Sequence, residues 1–364
     1  MLRQAGIAAL MTAFVLATPP VKACTGFLLK AEDGASIRGR TMEFAVPLGS
    51  NVVVIPKGTS FSGTLPDGGK GLSYTTKYAM VGANSMGLPI VIDGLNDQGL
   101  TFGAFYFPGF AEYATLAANN SGRALASHEF GNWVLGNFAN VDEVKAALDG
   151  VVIVPTKAPV LNIVTPLHYF VADNRGKSIV IEPVGGVLKV YDSPIGVLTN
   201  SPGFDWHLTN LRNSVNLSVT GVPPIEIDGV QFAQLGQGAG MHGLPGDFTP
   251  PSRFIRAAAF SSSALPSATA QDAVLAAFHI LNQFDIPLGA VRSSKAADAS
   301  IERTQWTTVS DTKNLRFYYR TFGDQSIYMV DVRKAVAAAA DETRMIEMGT
   351  TQPIIETSTT FMAK

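Results

Sequence analysis

The order of elements in the sequence predicts an α+β fold, with strand-rich sheets carrying helices on their outer faces. Three observations lead there. Short apolar and β-branched runs bounded by turn residues occupy much of residues 25–107 and recur within 151–199 and 304–330. Two blocks of helical periodicity, within 124–148 and 252–284, separate them. No fixed-period repeat and no linker-like composition divides the chain, so residues 24–364 are expected to form a single domain. A four-layer αββα sandwich satisfies this order, and an ordinary two-layer α+β fold satisfies it nearly as well.

In order, residues 25–30 are short and apolar, Asp33-Gly34 is a hairpin turn signal, and residues 36–40 lead back. The run Asn51-Val-Val-Val-Ile-Pro56 suits a strand buried on both faces. Residues 57–75, rich in Gly, Ser, Thr and Asp, read as a surface loop. Residues 88–93 and 100–107 read as hairpin strands around Asn96-Asp-Gln-Gly99. Residues 124–138 and 140–148 are predicted helices, the second with Asn140 as its cap and two acids in its first turn. Strands return at 151–154, 167–172, 178–182, 188–191 and 195–199, followed by a Gly- and Pro-rich loop over 219–250. Helices are expected at 252–263 and 271–284, the latter with Val274, Leu275, Phe278 and Leu281 on one stripe. Three strands, 304–310, 315–321 and 326–330, complete the set.

The chain starts like an exported protein. Arg3 precedes an apolar run over residues 5–18, Pro19-Pro20 breaks it, and Val21-Lys22-Ala23 resembles a small-residue cleavage pattern. The run is shorter than the ~20 residues of a membrane span, so residues 1–23 read as a cleaved leader and a periplasmic location is expected. Net charge is -2 and Lys/Arg are not clustered, which argues against nucleic acid or anionic membranes as partners. The five histidines lack paired metal spacing, and no P-loop, G-x-S-x-G or H-E-x-x-H is present, so neither a metal nor a cofactor is called for. Gly238-Ala-Gly240-Met-His-Gly243 matches a dinucleotide fingerprint in letters only, without a strand-then-helix context.

That leaves Cys24, the one cysteine, immediately after the expected cut. Cleavage there leaves a thiol and a free α-amine on one residue. A thiol attacks only as thiolate, and an α-amine, with an ordinary pKa of about 7.7–8.0, is a suitable base for it at neutral pH. Arg40 would favour the thiolate, and Glu43 would orient the amine or the guanidinium.

Cys24-Thr-Gly-Phe27 and Gly39-Arg-Thr-Met-Glu43, with further matches at Phe105-Tyr-Phe-Pro-Gly109, Leu198-Thr-Asn-Ser-Pro202 and Met241-His-Gly-Leu-Pro-Gly-Asp247 leading to Pro251-Ser-Arg-Phe254, resemble the choloylglycine hydrolase family. Its members, bile salt hydrolases and penicillin V acylases, are N-terminal nucleophile hydrolases. The resemblance implies an αββα sandwich, hydrolysis of a non-peptide amide, and commonly a homotetramer. It assigns Cys24 as nucleophile, Arg40 as its neighbouring arginine, Asn200 as an oxyanion donor through its side chain, Tyr106 as a donor through its backbone N–H, and Arg253 as a supporting arginine. Glu43 stands where many members have aspartate. Tyrosine at 106 resembles the penicillin V acylases more than the bile salt hydrolases, so penicillin V-like acyl amides are the expected substrates. Conjugated bile salts and acyl-homoserine lactones are the alternatives. Phe44, Phe105, Phe107, Phe110 and Tyr113 are candidates to line the acyl pocket. A rival of another class is a binding lipoprotein tethered through Cys24, although Lys22 fits a lipidation signal badly.

Overall fold

A computed structural model of the chain describes residues 23–292 and 301–358. The expected leader, apart from Ala23, lies outside them. The main strands, in chain order, are β1 (Cys24–Lys30), β2 (Ser36–Glu43), β3 (Asn51–Ile55), β4 (Met80–Ala83), β5 (Asp93–Asn96), β6 (Thr101–Tyr106) and β7 (Leu167–Ala172). They continue as β8 (Ser178–Val184), β9 (Val187–Asp192), β10 (Val197–Leu198), β11 (Thr304–Asp311), β12 (Arg316–Thr321), β13 (Tyr328–Asp331) and β14 (Arg344–Glu347). One sheet runs β10-β1-β2-β11-β12-β13 and the other β9-β8-β7-β6-β5-β4-β3-β14.

The helices are α1 (Phe130–Asn137), α2 (Val141–Ala147), α3 (Phe204–Leu211), α4 (Pro250–Ser263), α5 (Ala270–Leu281) and α6 (Val332–Ala339). Helices α4 and α5 pack on the six-stranded sheet, and α1 and α6 on the eight-stranded one. The inner faces meet, since Arg40 of β2 donates to the carbonyls of Ile92 and Ala104. The architecture is therefore the four-layer αββα sandwich. Every residue of β2 is buried, as a strand with helices on one face and a sheet on the other must be. Close approach of the sheets depends on Gly103, where a Cβ would sit 1.9 Å from the Arg38 guanidinium.

Local chemistry explains both the agreements and the departures. Asn140 caps α2 by accepting from Glu143 N–H at 3.1 Å, as expected. Residues 57–75 are not a plain loop: Ser60–Thr64 and Lys70–Thr75 pair as a hairpin. The 219–250 stretch holds a second hairpin, Ile225–Ile227 with Val230–Phe232. Residues 88–92 do not form the predicted strand. The Asn132 side chain binds the backbone at Val91 and Pro89, drawing residues 88–91 out of the sheet, while Ile92 still bonds Ala83 O and Ala104 N. The predicted helix over 124–138 opens instead with a short strand, Ala124–Ala126, paired parallel to Val152–Val154. Helix α5 buries Val274, Phe278 and Leu281, while Leu275, a further 100° round the helix from Val274, is exposed. Helix α6 and β14 were not expected; Asp331 caps α6 by accepting from Lys334 N–H.

Candidate active site

Position along the strands decides which side chains meet. On β2, Arg38, Arg40 and Met42 alternate with Gly39, Thr41 and Glu43, so the two arginines share the face turned to the second sheet. Cys24 pairs with Met42 across β1 and β2. Its Sγ lies 3.5 Å from Arg40 Nη2 and 3.8 Å from Met42 Sδ. Arg40 is held from behind by Ala104 O at 2.6 Å, Ile92 O at 3.1 Å and Asp93 Oδ2 at 3.3 Å, with the Phe105 ring 4.5 Å from its guanidinium carbon. Asp93 also takes Arg38 Nη2 at 2.6 Å and Thr308 Oγ1 at 2.7 Å. Two buried guanidinium groups thus share one carboxylate, leaving a net positive charge beside the sulfur. Burial alone would depress the Arg40 pKa, but the Cys24 sulfur and Asp93 carboxylate outweigh it and hold the group above its ordinary value.

The opposite side of Cys24 is built by Asn200 and Arg253. Asn200 Oδ1 accepts from Cys24 N at 2.8 Å and from Arg253 Nη2 at 2.7 Å, while Nδ2 donates to Tyr106 O at 2.8 Å. This orientation is forced, because the flipped amide would aim its NH₂ at two donors. Arg253 of α4 also donates to Cys24 O, to Thr25 Oγ1 at 2.9 Å and to Phe248 O at 2.9 Å. His207 Nε2 pairs with Asn200 O at 2.9 Å, and the ring stacks on Phe254. Burial pushes its pKa down to about 4, so the ring is a neutral prop for Asn200.

Backbone alternation places Tyr106. Phe107 N–H bonds Pro166 O toward β7, so the N–H and C=O of Tyr106 point to the other edge of β6. That edge is where residues 88–91 leave the sheet, and where Asn200 Nδ2 reaches Tyr106 O. Tyr106 N–H and Asn200 Nδ2 therefore share one side.

Glu43 is placed differently from expectation. It lies on the helix-facing side of β2, accepting from Thr304 Oγ1 at 2.9 Å. Its N–H, not its carboxylate, touches the Cys24 junction, by binding Ala23 O at 3.0 Å. Burial raises the carboxyl pKa to about 8, partly offset by Arg253. With Ala23 still attached, it is mostly neutral near pH 7.

A solvent-open cleft of about 650 Å³ is lined by Cys24 and Arg40 together with Met42, Phe44, Leu48, Met86, Ile92 and Leu167. Of the five aromatic residues proposed for it, only Phe44 lines it. Phe105 lies under Arg40, Phe107 stacks on His168 at 4.2 Å, Phe110 is exposed, and Tyr113 is fixed between Thr165 O and Leu167 N. Arg38 and Asp93 escaped the sequence reading. Their signal was available in part: Arg-x-Arg on a buried strand puts two cations on one face, which demands a buried acid.

Comparison with known proteins agrees with this geometry. A sequence model of the linear amide C-N hydrolases, choloylglycine hydrolase family, matches residues 24–343. The chain belongs to this family. It is 35% identical over 315 residues to the bile salt hydrolase/transferase of Clostridium perfringens, covering 85% of this chain and 93% of that protein. It is 26% identical over 345 residues to the penicillin V acylase of Pectobacterium atrosepticum, covering 89% and 85%. A solved variant of the conjugated bile acid hydrolase from Clostridium perfringens superposes with TM-score 0.80 at 33% identity, over 91% of this chain and 99% of that one. Penicillin V acylase from Agrobacterium tumefaciens superposes at 0.71 with 23% identity, over 90% and 92%, a likeness of fold alone. As a choloylglycine hydrolase family member, the protein is a hydrolase of linear amide C–N bonds.

Proposed function

We propose that the protein is an exported N-terminal cysteine amidase that releases a bulky hydrophobic acid from a small polar amine. The observation that carries this reading is that Cys24 and Arg40 line an apolar cleft with Cys24 Sγ 3.5 Å from Arg40 Nη2, while the Asn200 side chain holds Cys24 N. Removal of residues 1–23 turns Cys24 N into an amine that Asn200 Oδ1 already orients. The amine takes the thiol proton, and the thiolate, beside Arg40, attacks the acyl carbonyl. The oxyanion is met by Asn200 Nδ2 and Tyr106 N–H, and the protonated amine returns its proton to the leaving amine. Water then attacks the thioester, giving up a proton to the α-amine and releasing the acid. The family match begins on Cys24, which supports this residue as the mature start. Ala23 is 1% exposed, so the leader must be cut before the fold closes around it, or from within.

Among substrates, conjugated bile salts are favoured by the higher identity to bile salt hydrolases, 35% against 26% for the penicillin V acylase. This runs against the preference drawn from Tyr106, which keeps penicillin V as the second reading. The test is a hydrolysis panel of glycine and taurine conjugates, penicillin V and acyl-homoserine lactones on protein beginning at Cys24. Conjugates should be cleaved, and Cys24→Ala should abolish cleavage; no acid released from any member would overturn the proposal.

The assembly we propose is a homotetramer. The 215–235 segment exposes Val215, Ile225, Ile227, Val230, Phe232 and Leu235, an apolar strip unusual for a free surface. Light scattering of Ile225→Glu/Phe232→Glu protein should show dissociation, and an unchanged mass would exclude this strip from the interface. No helix among the described residues is long and apolar enough to cross a membrane.

A further inference from the structure

Behind the wall formed by Leu88 and Ile90 lies a second cavity of about 640 Å³, and those two residues and His128 line both spaces. The backbone around His128 is pinned. Ser127 Oγ donates to Thr165 O at 2.8 Å, and Tyr169 OH to Ser127 O at 3.0 Å. The Glu129 carboxylate accepts from Ala126 N, Thr64 N and Thr64 Oγ1. Each neighbour is satisfied. His128 is not: its Nδ1 is buried and has no hydrogen-bond partner among the described residues.

We propose that His128 is a specificity-determining residue that hydrogen-bonds a hydroxyl on the acyl part of the substrate, an inference that rests on the amidase reading above. The chemistry selects a hydroxyl. Burial lowers the imidazole pKa, so the ring is neutral and offers one donor and one acceptor. A hydroxyl both donates and accepts, so it pairs with the neutral ring in either tautomer, whereas a carboxylate only accepts and an ammonium only donates. The apolar surroundings bind a hydrocarbon frame, and an acyl group without the hydroxyl would cover the imidazole and leave it unpaired. A site built around such a group discriminates by that penalty. The polar amine half of the substrate is less suited to this end, since it leaves from the carbonyl side.

The experiment compares kcat/KM of the Cys24-starting enzyme for glycine conjugates of steroid acids carrying no, one, two or three hydroxyls. Wild type, His128→Phe and His128→Gln are measured in parallel. The preference of the wild type for its best hydroxylated conjugate over the unhydroxylated one should fall by roughly 3- to 10-fold in His128→Phe. Turnover of the unhydroxylated conjugate reports that the variant is folded, and His128→Gln, which keeps a donor and an acceptor, should retain part of the preference. The same preference in wild type and His128→Phe overturns the inference while leaving the amidase reading intact. An effect that follows glycine against taurine, rather than hydroxyl number, also overturns it. Failure of the wild type to cleave any conjugate defeats the amidase reading itself, and this inference with it.

Discussion

Asn200 serves two ends of the site with two ends of one amide, so its halves can be removed separately. Asn200→Asp keeps an acceptor for Cys24 N and Arg253 Nη2, at 2.8 and 2.7 Å in the wild type, but removes the Nδ2 donor. If Nδ2 stabilises the oxyanion, kcat should fall by about 10²–10³-fold, or ~2.7–4 kcal/mol, with little change in KM. Stability should fall by about 1 kcal/mol, because the second carboxylate oxygen then stands against Tyr106 O, which loses its donor, and the Arg253 guanidinium offsets only part of that. Asn200→Ala should lose the same turnover and in addition about 1–3 kcal/mol of stability, because buried donors on Cys24 and Arg253 lose their acceptor. Steady-state kinetics on a glycine conjugate and urea unfolding of both variants measure this. A carboxylate near the α-amine also makes that amine a worse base at neutral pH, an effect that vanishes at alkaline pH, whereas loss of an oxyanion donor does not. Turnover of Asn200→Asp within tenfold of wild type at pH 9, or a change confined to KM, refutes the assignment.

Two further predictions concern buried charge. Glu43, with its pKa raised by burial to about 8 from an ordinary 4.5, keeps its proton in the folded uncut chain after the unfolded chain has lost it. Its stabilising contribution is full below pH 4.5 and declines as pH rises toward 8, by up to about 5 kcal/mol; Glu43→Gln should flatten that decline in urea titrations at pH 5 and pH 9, and parallel behaviour of the two proteins would contradict it. Asp93→Asn leaves Arg38 and Arg40 sharing no anion, costing about 3–5 kcal/mol by breaking a buried pair. The extra positive charge should also move the acid limb of kcat/KM to lower pH, and a limb moving upward would exclude Asp93 from the charge balance around Cys24.

Much of this was legible in the sequence because its signals are local. The Asn140 cap, the Asp33-Gly34 turn and the β-branched run of β3 each announce themselves within a few residues. The candidate site was reached through separated motifs that resemble the choloylglycine hydrolase family, and the structure brings Cys24, Arg40, Tyr106, Asn200 and Arg253 together. What escaped depends on contacts between distant residues. The 88–91 segment has strand-forming residues, yet Asn132 captures its backbone and turns it into the cleft wall. Phe105, Phe107 and Phe110 have the composition of an acyl pocket, but the pleat of β6 and the turn after it send them elsewhere. Glu43 was expected to orient the amine or the guanidinium from its neighbourhood to Cys24, and strand alternation turns its carboxyl to the face opposite Arg40. Asp93 carries no motif; its role comes from two arginines reaching it across the sheets.

The central claim is that the α-amine of Cys24 is the base, uncovered when Ala23 is removed. It is tested most directly by comparing single-turnover hydrolysis by two purified proteins, one beginning at Cys24 and one retaining Ala23 before it, with intact masses confirming both termini throughout. The account predicts acid release by the first and none above background by the second, although both carry the same thiol, Arg40 and Asn200. Equal rates would contradict it and move the base to another residue.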